Sequence, residues 1–164
     1  MIRSEQRPGA PGGRVLFIVA AVVIVIALAA QGRRWHDRLE AAALVRRVEQ
    51  RTQAALARGR APSTMFAEHL AWLETAGRKA PADVTVPIAI GAQYLLLRRP
   101  ADAIAAYDTA ARLEPRPEID LNRGRALWMQ GDRVRAGAAF ARAVRLNPGL
   151  AVEVPADAQP LSRP

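Results

Sequence analysis

One pattern is written twice in this chain: Gly91, Tyr94, Ala103, Tyr107, Ala110, Leu113 and Pro115 recur 33 positions later as Gly124, Leu127, Ala136, Phe140, Ala143, Leu146 and Pro148. Self-similarity at a spacing of this size predicts two copies of one helix-turn-helix unit stacked in series. The small residues let two helices approach closely, the aromatic or leucine between them fills the gap, and the closing proline ends the second helix. Helices are predicted over roughly 85–97, 101–113, 118–130 and 133–146. Pro87 is tolerated in a first turn, where amide hydrogens have no helical partner.

These seven matched positions resemble the tetratricopeptide repeat (TPR), a helix–turn–helix of about 34 residues. The resemblance covers two repeats, at about 84–116 and 117–148, and Arg123 departs from it by standing where the family usually places leucine. It implies an all-α TPR-like solenoid of about five short helices that works by protein–protein interaction. Its concave surface would be lined by the first helix of each repeat: Thr85, Ile88, Ala89, Ala92, Leu95 and Leu96, then Glu118, Leu121, Asn122, Arg125, Trp128 and Met129. Trp128 and Arg125 are the expected anchors, because exposed tryptophan and arginine often carry binding energy. The alternative for Trp128 is packing against the C-terminal tail or a neighbouring helix. Asn122 aligns with an asparagine of the chaperone-binding TPR clamp. Ile88 and Ala92 stand where that clamp has lysine and a second asparagine, so recognition of a terminal carboxylate is not implied.

Two stacked repeats leave apolar surface open at both ends. A helix at 63–77, capped by Ser63 or Thr64, carrying Phe66, Leu70 and Leu73 on one face and stopped by Gly77, is expected to bury one edge as a half-repeat. The TPR-like domain is thus 63–148. The remaining 149–164, with Pro155, Pro160 and Pro164, reads as an extended or disordered tail.

Upstream, Val15–Ala30 is uninterruptedly apolar. With Gln31 and Gly32 it gives a predicted transmembrane helix at 15–32, about 27 Å long at about 1.5 Å per residue against a bilayer core of about 30 Å. A basic tail at 1–14 precedes it, and Arg14, Arg33, Arg34 and Trp35 are placed at the membrane interface. A cleaved secretory signal is an alternative, since Ala27-Leu28-Ala29 offers an A-x-A site, although no polar spacer precedes it. A pilin-like leader ending at Gly13 is disfavoured by Ile18, where such subunits usually carry glutamate. Both flanks are positive. Counting arginines alone, with Arg33, Arg34, Arg38, Arg46 and Arg47 after the span, puts the carboxyl side in the cytoplasm, whereas the cost of translocating a tail with Arg3, Arg7 and Arg14 favours an external, periplasmic repeat domain on a single-pass protein of a bacterial inner membrane.

Between span and repeats, 33–60 reads as an arginine-rich juxtamembrane helix. Its apolar stripe is Trp35, Leu39, Ala42, Val45, Val48, Thr52 and Ala55, opposite Arg34, Arg38, Arg46, Glu49, Arg51 and Arg58. The helix is expected as a stalk, as a surface for anionic headgroups, as a short coiled-coil seam, or simply with its arginine face solvated.

Few other chemistries are open to this chain. Cysteine is absent, which excludes thiol catalysis, disulfides and Cys-ligated zinc. His36 and His69 fall in no metal or catalytic spacing, and no nucleophile elbow or phosphate loop occurs. No enzyme, metal or cofactor is expected. The net charge of +9 is spread along the chain rather than gathered into a basic stripe with interleaved aromatics, so membrane lipids or an acidic protein partner are expected and nucleic acid is not. Two functions follow. One is a membrane-anchored TPR protein that binds another polypeptide and helps assemble or scaffold an envelope complex. The other is a permanent structural subunit of a large membrane complex, or a self-assembling homo-oligomer or filament built by head-to-tail contacts. An enzyme completed by a partner is a third, disfavoured by the lack of an acid, base or nucleophile constellation.

Overall fold

The computed structural model describes residues 11–59 and 61–159. Among them the elements are α1 (Pro11–Ala57), α2 (Ser63–Lys79), α3 (Thr85–Leu96), α4 (Pro100–Leu113), α5 (Pro117–Gln130), α6 (Arg133–Leu146) and a 3₁₀ turn (Pro148–Glu153). No strand occurs among the described residues. The chain divides between His36 and Asp37 into two compact units.

The first unit is the leading part of α1. Leu16, Phe17, Val23 and Ile26 are each more than half exposed, at 72%, 75%, 58% and 62%. This stretch is long and apolar enough to cross a membrane, by length and composition, and none of its apolar window is buried. The segments read as 15–32 and 33–60 both fall within one element, α1, in keeping with a second segment that continues the first as a stalk. No proline lies between Pro11 and Pro62, and Gly32, the glycine where the two segments join, costs a helix only about 1 kcal/mol. Residues 1–10 of the predicted basic tail lie outside the described residues. Arg14 lies within α1, and Arg33, Arg34 and Trp35 are exposed.

In the second unit, α1 from Asp37 onward is part of the helical stack. Ala41, Val45, Val48, Thr52 and Ala55 are buried, and the first three share a core with Leu73, Ala76, Ala80, Val86 and Ala89. From Val45 the predicted stripe is therefore core, not a free seam or a lipid-facing surface, whereas Trp35 and Leu39 are 62% and 60% exposed. Lys79 pairs with Glu40, and Arg51 with Glu68 at 3.4 Å, so α1 and α2 run antiparallel.

Three helix pairs result, α1/α2, α3/α4 and α5/α6. Each first helix ends at a residue with positive φ: Gly59 (63°), Arg98 (57°) and Gly131 (92°). That left-handed position is the usual stop after a helix. The α2 helix is also in register with α4, since His69, Leu73 and Ala76 stand 34 positions before Ala103, Tyr107 and Ala110. It is thus the second helix of a pair rather than a lone half-repeat. Two local expectations fail with it. Pro62 occupies the N-cap and no side chain caps the helix, and Gly77 lies inside α2, which runs on to Lys79. The other helices begin and end within a residue of the predicted ranges.

The duplicated residues make the two downstream cores. Tyr107, fully buried, joins Val84, Ala103, Ala110, Ile119 and Ala126, and Phe140 joins Leu121, Leu127, Ala136 and Ala143. Each ring lies directly on the backbone of the preceding first helix, at Gly91 and Gly124 respectively. Arg123, the departure from the repeat pattern, donates to Asp108 at 2.6 Å and ties α5 to α4 through a part-buried ion pair. The expected tail is folded through Gln159. Leu150, Val154 and Ala158, four apart, are buried against α5 and α6 and close the last repeat.

Candidate functional site

The first helices of the pairs supply the candidate surface, and α3 and α5 carry its predicted residues. The α3 helix is short and carries no charge from Thr85 to Leu96, with Asp83 Oδ1 capping it through the Thr85 amide at 2.9 Å and hydroxyl at 2.7 Å. The α5 helix is fixed against α6 by Arg142, whose guanidinium donates to both Asp120 oxygens at 2.7 and 3.1 Å. That bond raises the Arg142 pKa above its usual value, as expected when a hydrogen bond favours the charged form.

Along this row the predicted residues separate into those used internally and those left open. Leu121 is 2% exposed and belongs to the core closed by the C-terminal segment. Leu95 is half-buried against the Tyr107 core. Arg125 is engaged by its own chain, donating to Asn122 Oδ1 at 2.9 Å, to the Glu153 carbonyl at 2.8 Å and to the Glu153 carboxylate at 3.1 Å. Trp128 packs on Phe140 at 6.4 Å between centroids, and Arg133 lies over its ring at 3.5 Å. Trp128 is thus half-buried between its own chain and the surface. Glu118 is exposed, Asn122 half-buried, and Met129 and Leu96 are open at 42% and 37%.

A polar cluster that the sequence reading missed lies where α1, α2 and α3 meet. His69 is fully buried, and its Nδ1 lies 3.2 Å from both Thr52 Oγ1 and Gln93 Oε1. Gln93 Nε2 in turn donates to Thr52 Oγ1 at 3.3 Å. An amide oxygen only accepts, so Nδ1 carries the proton, and Nε2 is left buried without a partner. The signal available was the repeat register, in which His69 stands where α4 and α6 carry the small residues Ala103 and Ala136. Among the described residues the other buried side-chain atom without a partner is the Tyr107 hydroxyl. Burial raises its pKa above the usual phenol value, with Arg125 acting in the opposite direction. Among the described residues no group of three or more His, Asp or Glu is placed to hold a metal ion.

No family model matches the sequence, and no curated protein matches it. Solved structures do. The first TPR of Spaghetti (RPAP3), bound to the HSP90 peptide SRMEEVD, matches with a TM-score of 0.58 at 17% identity over 68% of this chain and 82% of that one. TTC0263, a thermophilic TPR protein in Thermus thermophilus, matches with a TM-score of 0.51 at 24% identity, over 75% of this chain and 62% of that one. The fold is of TPR type.

Proposed function

We propose, on the premise of a TPR-type repeat fold, that this protein is a membrane-anchored interaction module that binds another polypeptide and helps assemble or hold an envelope complex. One observation carries the reading: a single chain joins an exposed apolar helix of spanning length to a stack of helix pairs whose first-helix row keeps Leu96 and Met129 open. A prebuilt surface lowers the entropic cost of docking, and an anchor raises local concentration. A neighbour that holds a heptapeptide supports a polypeptide as the ligand class. Open groove positions are Leu96, Glu118 and Met129, with the half-buried Asn122 and its partner Arg125 available once Glu153 leaves the guanidinium. Arg14, Arg33, Arg34 and Trp35 contact lipid at the ends of the span. We place the protein in a bacterial inner membrane with the stack outside, because the basic leading tail is costly to translocate.

The permanent-subunit or self-assembling reading is favoured by Leu146 and Val152, 63% and 85% exposed on the last pair and its closing turn. Native mass spectrometry after mild detergent extraction from the native membrane separates the two. A monomer with substoichiometric companions is the expected result. A constant heteromeric mass or a homomeric ladder overturns the adaptor reading in favour of the second.

A further inference from the structure

Short turns and the α1–α2 and α5–α6 cross-bonds run successive helices in opposite directions, so the three turns inside the pairs share one edge of the stack. That edge is apolar at its surface. Leu56 is 50% exposed, Leu96 37%, Met129 42% and Val134 84%. It is also cationic. Among the described residues the two acids there are already paired, Asp102 with Arg99 at 2.7 Å and Asp132 with Arg135 at 3.4 Å. Among the described residues Arg58, Arg98 and Arg133 have no carboxylate partner, and all three are exposed, Arg133 lying over the Trp128 ring at 3.5 Å. The strongest single sign is Arg98. It takes φ 57° at the turn position where the neighbouring pairs use Gly59 and Gly131. A side chain in that conformation costs roughly 1–2 kcal/mol, and such outliers concentrate at functional positions.

We infer that this edge docks an amphipathic polypeptide segment bearing carboxylates beside apolar side chains, with Arg58, Arg98 and Arg133 as its cationic contacts. Charge complementarity selects that occupant. Guanidinium forks match carboxylates, and the flexible Met129 side chain adapts to irregular apolar surfaces. The inference rests on the reading as a polypeptide-binding module and moves the contact from the groove, where the chain itself covers Leu121 and engages Arg125, to the rim.

The test uses the full chain in nanodiscs of neutral phosphatidylcholine and two fluorescein-labelled synthetic helices of about 18 residues (~27 Å), one of leucine and glutamate, one of leucine and lysine. Anisotropy is expected to show the glutamate helix binding at least about tenfold more tightly than the lysine helix, and the R58E/R98E/R133E protein losing about that factor. Arg98→Gly guards against misfolding as the explanation. It should raise the melting temperature while weakening binding. Equal affinity for the two helices, or full affinity in Arg98→Gly, overturns the inference. Binding that falls with Asn122→Ala but not with the arginine variants also overturns it and leaves the groove reading standing. Soluble peptide ignored while vesicles with anionic phosphatidylglycerol bind the same arginines would make the edge a membrane surface instead. Failure of the adaptor reading itself shows separately, as a fixed-ratio particle on extraction.

Discussion

Replacing Gly124 by alanine probes the contact on which the duplicated pattern depends. An ideal Cβ there falls 2.5 Å from Cε1 and 2.6 Å from Cδ1 of Phe140. Carbon atoms settle at about 3.5–4.0 Å, so the ring must retreat by about 1 Å. It has nowhere to go, because Phe140, Leu127, Ala136 and Ala143 are all 0% exposed and packed on one another. Overpacking of this kind costs about 1–3 kcal/mol, whereas alanine gains up to about 1 kcal/mol over glycine in a helix. The net expectation is destabilisation by about 1–2 kcal/mol, a fall of roughly 4–8 °C in Tm for a domain near this size. Circular dichroism melts in detergent would measure it. Gly77 supplies the internal control, since a Cβ there meets only Val86 Cγ1 at an ordinary 3.6 Å. Gly77→Ala should therefore stabilise by up to about 1 kcal/mol. Adding Phe140→Leu to Gly124→Ala should recover about 1 kcal/mol through coupling of the two sites. A Gly124→Ala protein that melts at or above wild type refutes the close-approach reasoning.

Three further perturbations test other joints. Arg98→Gly should stabilise by roughly 1 kcal/mol, because glycine adopts φ 57° without strain, and an unchanged urea midpoint would argue against strain at that turn. Gln93→Leu should lower stability by about 1–3 kcal/mol, since it strips a partner from the buried His69; a denaturation curve matching wild type would deny the cluster a structural role. Tyr107→Phe removes a buried hydroxyl without a partner and should be neutral or stabilising by about 1 kcal/mol. Because the folded-state pKa of Tyr107 is raised by burial, its contribution is intact below the unfolded-state value of about 10 and is lost as pH rises beyond it. Stability measured above pH ~10 should fall less steeply in Tyr107→Phe, and parallel profiles would contradict that assignment.

What the sequence determined by itself was everything carried by local periodicity. The 33-residue register placed α3 to α6 within a residue of their limits, because helix starts, proline stops and close glycine–aromatic contacts are set within one repeat. The apolar run before Trp35 was equally legible, because length and hydropathy need no partner. Tertiary structure decided what depends on distant segments. Val45 and Val48 could have faced lipid, a seam or a core, and only packing against Leu73, Ala76 and Val86 makes them core. Thr52 and Gln93 are 41 positions apart and meet only when α1 folds onto α3. The spacing of Leu150, Val154 and Ala158 was visible, but prolines on either side read as an extended tail. Burying the open end of the last repeat outweighed that tendency, and it drew Leu121 and Arg125 into internal contacts. A groove position named by register is a place on a helix. Whether its side chain is free depends on which other part of the chain reaches it first.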